Sequence, residues 1–295
     1  MKKLISLLLI VVLMVSTLSS CSLFVDYTIY SSTVDSNDSS NSVAFEKADK
    51  IKFVSTLIGD YTEREDAPKE KKVKINGEEF SYNYYKTRKN ECENSTVKNL
   101  KNNSQTDVYR DETGKKLINI NPSTGHLLMY SDLTEGLCEK GGDLTEDKAK
   151  KIAEDFIVSE YGKDITETYE FESATRINSS YPIEIGYVVI FRRNIHGYKT
   201  NDFLRLRINL QGEIYSVWAA NMDVYASADI KVSKSQIERA EKKLLEALET
   251  ENRKVTSEEQ FICIDANGKV YLEASVAYFI DGEFSHGDSC YINVN

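Results

Sequence analysis

The sequence predicts an α+β fold: antiparallel sheets with amphipathic helices packed on one face, arranged as tandem repeat units. Three observations carry this. A strand–turn–strand pattern recurs three times. Two of the copies are followed by a capped amphipathic helix. Only 3 prolines occur in 295 residues, so strands and helices are rarely broken.

The chain opens on Lys2 and Lys3, an apolar run from Leu4 to Leu18, and then Ser19, Ser20 and Cys21. A basic tip, an apolar stretch of ~7–15 residues and small residues before a cut describe a secretory signal. A spanning helix wants ~20 apolar residues, and this run is broken by Ser16, Thr17, Ser19 and Ser20. The Leu18-Ser19-Ser20-Cys21 sequence resembles the lipobox of bacterial lipoproteins. That resemblance implies cleavage after residue 20, a diacylglycerol on the Cys21 sulfur and attachment to the outer face of a membrane. Lipid chains add ~0.8 kcal/mol per buried CH₂, so such an anchor holds without help from the protein.

Residues 21–42 read as a lipidated flexible tether. The stretch from Ser31 to Ser42 carries one apolar residue, Val34, and cannot offset its ordering entropy. Beyond it we expect three units: an N-terminal α+β unit over 43–135, a second over 136–226 and a helix-plus-sheet unit over 227–295. Phe45, Ala48, Val54 and Leu57 suggest a helix with a fair apolar face. Asn76-Gly77 separates Val73-Lys74-Ile75 from Phe80–Tyr84 and marks a tight hairpin, because both residues tolerate positive φ. Asn267-Gly268 and Asp281-Gly282 are similar turn signals.

The repeat copies are Leu117–Tyr130, Leu206–Trp218 and Phe261–Leu272. Each reads as a strand, an Asn or Asp, a short turn ending in Gly and a second strand. After the first, Thr145 caps a helix whose Glu146 and Asp147 suit its positive end. Ala149, Ile152, Ala153 and Phe156 then form one apolar stripe. After the second, Ser233 and Gln236 fit a capping box, with Ile237, Ala240, Leu244 and Leu248 on one stripe. Between the helices, Tyr187–Phe191 and Phe203–Ile208 read as strands joined across His196-Gly197. Leu204, Leu206 and Ile208 point to one face of theirs, and Arg205 and Arg207 to the other.

The helix opening Leu144-Thr145-Glu146-Asp147-Lys148-Ala149-Lys150-Lys151-Ile152-Ala153, the strand–turn–strand Arg207–Ile214 and the hairpin Val189–Tyr198 together resemble PepSY-like domains of exported bacterial proteins, over about residues 105–295. The resemblance implies a small helix-on-sheet module outside the membrane, of a kind thought to modulate peptidases or cell-envelope factors. It supplies no catalytic residues to carry over.

Net charge is −10, from 37 basic and 47 acidic residues. Losing Lys2 and Lys3 with the signal leaves 35 against 47, or −12. A negative chain is repelled by nucleic acid, which is excluded as a partner. Beyond Cys21, four cysteines remain: Cys92, Cys138, Cys263 and Cys290. Outside the cytoplasm they permit disulfides, with order along the chain favouring Cys92–Cys138 and Cys263–Cys290; free thiols are the alternative. No CxxC pair argues for zinc or thioredoxin-like chemistry.

Chemistry is sparse. His126, His196 and His286 lack the spacing that places two metal ligands on one helix face, and each adjoins a Gly in a turn, so no metal is expected. Gly287-Asp288-Ser289-Cys290 is not a Gly-x-Ser-x-Gly elbow. Glu63, Glu65, Asp66, Glu78 and Glu79 read as a solvated face, and Asp265-Ala266-Asn267-Gly268 lacks the oxygen ligands of a calcium loop. No phosphate or dinucleotide fingerprint occurs, and no cofactor is expected. Eighteen tyrosines stand against one tryptophan. Tyr82 and Tyr84 share a strand face, and Phe191, Arg192, Arg193, His196 and Tyr198 gather at a hairpin tip. These are the candidate binding residues, since exposed tyrosines bring large area at low entropy cost; half-buried sheet packing is the alternative. The expectation is a membrane-anchored, non-catalytic binding or regulatory module with an envelope protein, peptide or cell-wall ligand as partner. The other readings are a cell-envelope hydrolase assembled from separated polar residues, or a stalk with no discrete ligand.

Overall fold

A computed structural model describes residues 27–31, 45–47, 61–89, 105–180, 183–250, 252–257, 259–265 and 268–294. The N-terminal part holds short β1 (Ile29–Ser31), β2 (Phe45–Lys47) and β3 (Tyr61–Thr62). A meander of β4 (Glu70–Ile75), β5 (Glu78–Lys89), β6 (Gln105–Arg110), β7 (Lys116–Ile120) and β8 (Leu127–Asp132) follows. Next come α1 (Glu146–Tyr161), the single turn α2 (Ile165–Thr168), and long β9 (Tyr169–Ser180), β10 (Ile183–Ile195), β11 (Tyr198–Asn209) and β12 (Ile214–Ala220). The chain ends with α3 (Met222–Ser227), α4 (Lys234–Leu248), β13 (Arg253–Val255), β14 (Phe261–Ile264), β15 (Val270–Ile280) and β16 (Glu283–Asn293).

The expected tandem units of antiparallel sheet covered by helices are not what forms. All sixteen strands join one mixed sheet, and strand, not helix, dominates. The repeated hairpins do form at the three expected places. Their outer strands then pair with one another rather than closing separate units. β12 pairs antiparallel with β8, Val217 facing Tyr130. β11 pairs parallel with β14 through Lys199–Phe261 and Thr200–Ile262, and β1 is parallel to β2. Unpaired strand edges expose backbone donors and acceptors, and mutual pairing satisfies them.

Local chemistry fixes the elements themselves. Asn76 and Gly77 have φ of 56° and 83°, His196 and Gly197 of 53° and 88°, and Asp281 and Gly282 of 52° and 83°. Two successive positive φ values match the twist of the flanking strands. Thr145 accepts from the Lys148 amide, and Ser233 with Gln236 makes a full capping box. Phe45 lies in β2 rather than opening a helix; Ala48, Val54 and Leu57 lie outside the described residues.

Two hydrophobic cores result. One gathers Ala149, Ala153 and Phe156 of α1 with Val189, Leu206 and Val217. The other gathers Ile237, Ala240 and Leu244 of α4 with Ile262, Leu272 and Ile292. Short α3 bridges them, Met222 in the first core and Val224 and Tyr225 in the second.

Candidate functional site

Cys21 and Cys92 lie outside the described residues. Of the two alternatives for Cys263 and Cys290, a disulfide or free thiols, the structure has the second: both are buried free thiols, and Cys138 is free as well. Cys263 faces Tyr271 from one side of β15 while Cys290 faces Ala274 from the other, so a strand stands between them. The Cys263 thiol donates to Glu273 at 3.2 Å, and burial pushes it well above the ordinary thiol range. It is a packed, unreactive group.

The candidate binding residues each have partners within the fold, and only Tyr82 and Phe191 among them are buried. Tyr82 is fully buried, and Tyr84 accepts from the Arg64 amide at 2.9 Å. Phe191 is core. Arg192 donates to Glu172 at 2.6 Å and to the Thr200 carbonyl at 2.6 Å. His196 Nε2 bonds the Val232 carbonyl at 2.7 Å, and the Tyr198 hydroxyl donates to Glu241. The β10–β11 tip therefore rests against the segment leading into α4, and against α4 itself, while His196 stays exposed. At its base Arg193 donates to Asp202 at 2.7 Å, and the Tyr169 hydroxyl donates to the same carboxylate at 2.8 Å. Burial pushes Asp202 up to about 6, while the Arg193 charge pulls it down. Thr200 donates from its hydroxyl to the Arg193 carbonyl and accepts from the Asp202 amide.

Tyr169 also lines a groove of roughly 370 Å³ between α1 and the β9–β10 pair. Ile157, Val158, Phe171 and Phe191 supply its apolar walls, and Lys151, Glu154 and Asp155 its charged rim. Phe171 packs edge-on against Phe191 at 5.6 Å, with the Lys150 ammonium 4.2 Å over its ring. Val158 and Phe171 stay 41% and 36% exposed, a cost in water that a ligand would remove. β9 pairs with β10 alone among the described strands, so the groove runs beside an open sheet edge. Only Phe191 of this set stood out from the sequence. Val158 carried a signal: it falls off the Ala149–Ala153–Phe156 stripe and so places an apolar side chain on the wet face of α1.

A second polar cluster ties the β7–β8 turn to α3. Asp223 accepts from Asn121 at 2.6 Å and from Thr124 at 3.2 Å, and pairs with His126 Nδ1 at 2.7 Å. That hydrogen bond raises the His126 pKa, burial opposes it, and the Asp223 and Glu160 charges add to it. A carboxylate on Nδ1 is the orienting half of a triad. Among the described residues no hydroxyl or thiol is hydrogen-bonded to Nε2, and Thr124 gives its proton to Asp223 instead. His286 stacks on Tyr278 at 4.6 Å. Among the described residues no group of three His, Cys, Asp or Glu side chains is placed to hold a metal ion.

No protein-family model matches the sequence, and no curated protein matches it. Among solved structures, the Bacillus megaterium YpeB C-terminal domain is similar over 63% of this chain and 82% of that one, at 13% identity and a TM-score of 0.33. A likeness at that distance assigns neither fold nor function.

Proposed function

We propose that this chain is a non-catalytic binding module, held at the outer face of a membrane by a lipid on Cys21, with a PepSY-like regulatory role toward an envelope protein or peptide. One observation carries the binding part: the α1–β9 groove, where Phe171 and Val158 stay exposed beside a strand edge that no other described strand pairs. An extended peptide could add to β9 by main-chain hydrogen bonds and seat an apolar side chain between Phe171 and Val158. The His126–Asp223 pair supports no hydrolase reading without a nucleophile on Nε2.

The test has two arms. Cys21→Ala should move the protein from the membrane to the soluble fraction of the native host. Full chain in neutral detergent, screened against an immobilised peptide array, should bind apolar-containing peptides saturably, and Phe171→Asp should weaken that binding by roughly ten-fold or more with the melting temperature held. Binding unchanged by Phe171→Asp would remove the groove from consideration; an unlipidated Cys21 would remove the anchor.

A further inference from the structure

The long strands bring one row of side chains into register across the sheet. Ile190 faces Arg205, Arg205 faces Trp218, Trp218 faces Met129 and Met129 faces Asn119. Directly opposed residues share a face. The adjacent row, Val189, Leu206, Val217, Tyr130 and Ile118, lies in the first core. The Arg205 row is therefore on the opposite face of the sheet from that core.

Three arginines of β10 and β11 stand on this face, and they differ. Arg192 is paired with Glu172 and Arg207 with Glu184, at 2.6 and 2.7 Å. Arg205, between them, makes no hydrogen bond or ion pair among the described residues. Its guanidinium lies over the Trp218 ring at 4.6 Å, and Phe203 stands edge-on to that ring at 5.1 Å. The side chain is half-buried. Burial first, and then the Arg207 charge, push its pKa below the usual range, with Glu184 opposing. Further along the row Asn119, 8% exposed, has a buried Oδ1 with no hydrogen-bond partner. A cation partly stripped of water, placed over an indole and without an acceptor among the described residues, has its donor fork unused.

We propose that Arg205 and Trp218 form a recognition site for a carboxylate-bearing peptide segment, an Asp or Glu side chain seated on the Arg205 guanidinium and a flanking apolar side chain on Trp218 and Met129. Charge complementarity selects the carboxylate, and the apolar neighbours Ile190, Phe203, Trp218 and Met129 select a ligand with an apolar body. The net charge of −10 disfavours polyanionic chains such as nucleic acid. This site is on the other side of the sheet from the α1–β9 groove and does not depend on it.

Trp218 is the chain's only tryptophan, so intrinsic fluorescence reads this site directly. Full chain in neutral detergent is titrated with N-acetylated, C-amidated Leu-Glu-Leu and Leu-Gln-Leu. A saturable change with the glutamate peptide is expected, at least ~10-fold weaker with the glutamine peptide and lost in Arg205→Gln. Arg205→Lys, which keeps the charge without the planar fork, should weaken binding roughly ten-fold and carries the test if Arg205→Gln unfolds. Equal response to the two peptides, or full binding by both Arg205 variants, overturns the proposal. Inorganic phosphate acting as strongly as the glutamate peptide also overturns it, because the site would then read charge alone.

Discussion

Two faces of the same strands meet opposite fates. On β10, β11, β12, β8 and β7 the inward row is Val189, Leu206, Val217, Tyr130 and Ile118, each at most 1% exposed. One residue along, the outward row is Ile190, Arg205, Trp218, Met129 and Asn119. The strand period of two forces this contrast. The inward row has no freedom, because any polar atom there would need a partner inside the core. The outward row mixes a cation, an indole and a thioether at half burial with a buried amide. Stability is invested on one side of the sheet, which leaves the other able to hold groups whose partners are not yet present.

The strongest challenge to that division comes from a charged pair that faces inward. Asp202 is fully buried and holds both Arg193 and Tyr169. Asp202→Ala leaves the guanidinium without its counter-ion and should cost about 3–5 kcal/mol in urea unfolding. A loss below about 1 kcal/mol would mean that water reaches Arg193 and that the inward face is less closed than its burial indicates. Next in size, Leu206→Ala should cost about 2–5 kcal/mol through lost transfer energy and the cavity left behind. Arg205→Ala, one residue away on the other face, should change stability by no more than about 0.5 kcal/mol. Equal costs for the two variants would erase the contrast between the faces.

Much of the local structure was legible in the sequence because local chemistry decides it. Asn76-Gly77, His196-Gly197 and the Ser233–Gln236 box each specify a turn or a cap within a few residues, and each forms. The alternation Leu204, Leu206, Ile208 against Arg205 and Arg207 placed β11's two faces correctly. Sheet order was not legible. Val217 finding Tyr130, or Thr200 finding Ile262, is settled by which edges remain open after the hairpins close, and no local signal records it. The partners of the candidate site residues were not legible for a related reason. Arg192, His196 and Tyr198 look like unpartnered tip residues, and the sequence does not show that Glu172, Val232 and Glu241 arrive from elsewhere in the chain to bond them. Phe171 joined no candidate set because its exposure depends on where α1 lies.

The smallest expected effect tests a polar contact at the border of the two cores. His126 reaches Asp223 of α3, the helix that contributes to both. Glu160 of α1 adds negative charge near the ring, Tyr161 packs edge-on against it, and Lys71 acts on Glu160. The folded-state pKa of His126 is raised from 6.5, so its contribution is fully present below that value and is lost as pH rises through the higher folded one. Asp223 stays buried while His126 is 39% exposed, so solvent screens the pair and limits it to about 0.2–1 kcal/mol. Thermal melting followed from about pH 5 to 9 should therefore show a shallow fall above neutrality. His126→Gln, which keeps a donor but not the charge, should flatten that fall and leave the acidic side of the profile to Glu160 and Asp202, whose carboxyls burial pushes up. Superimposable profiles for the two proteins would show that Asn121 and Thr124 alone hold Asp223, and that α3 is fixed between the cores without any charge on the imidazole.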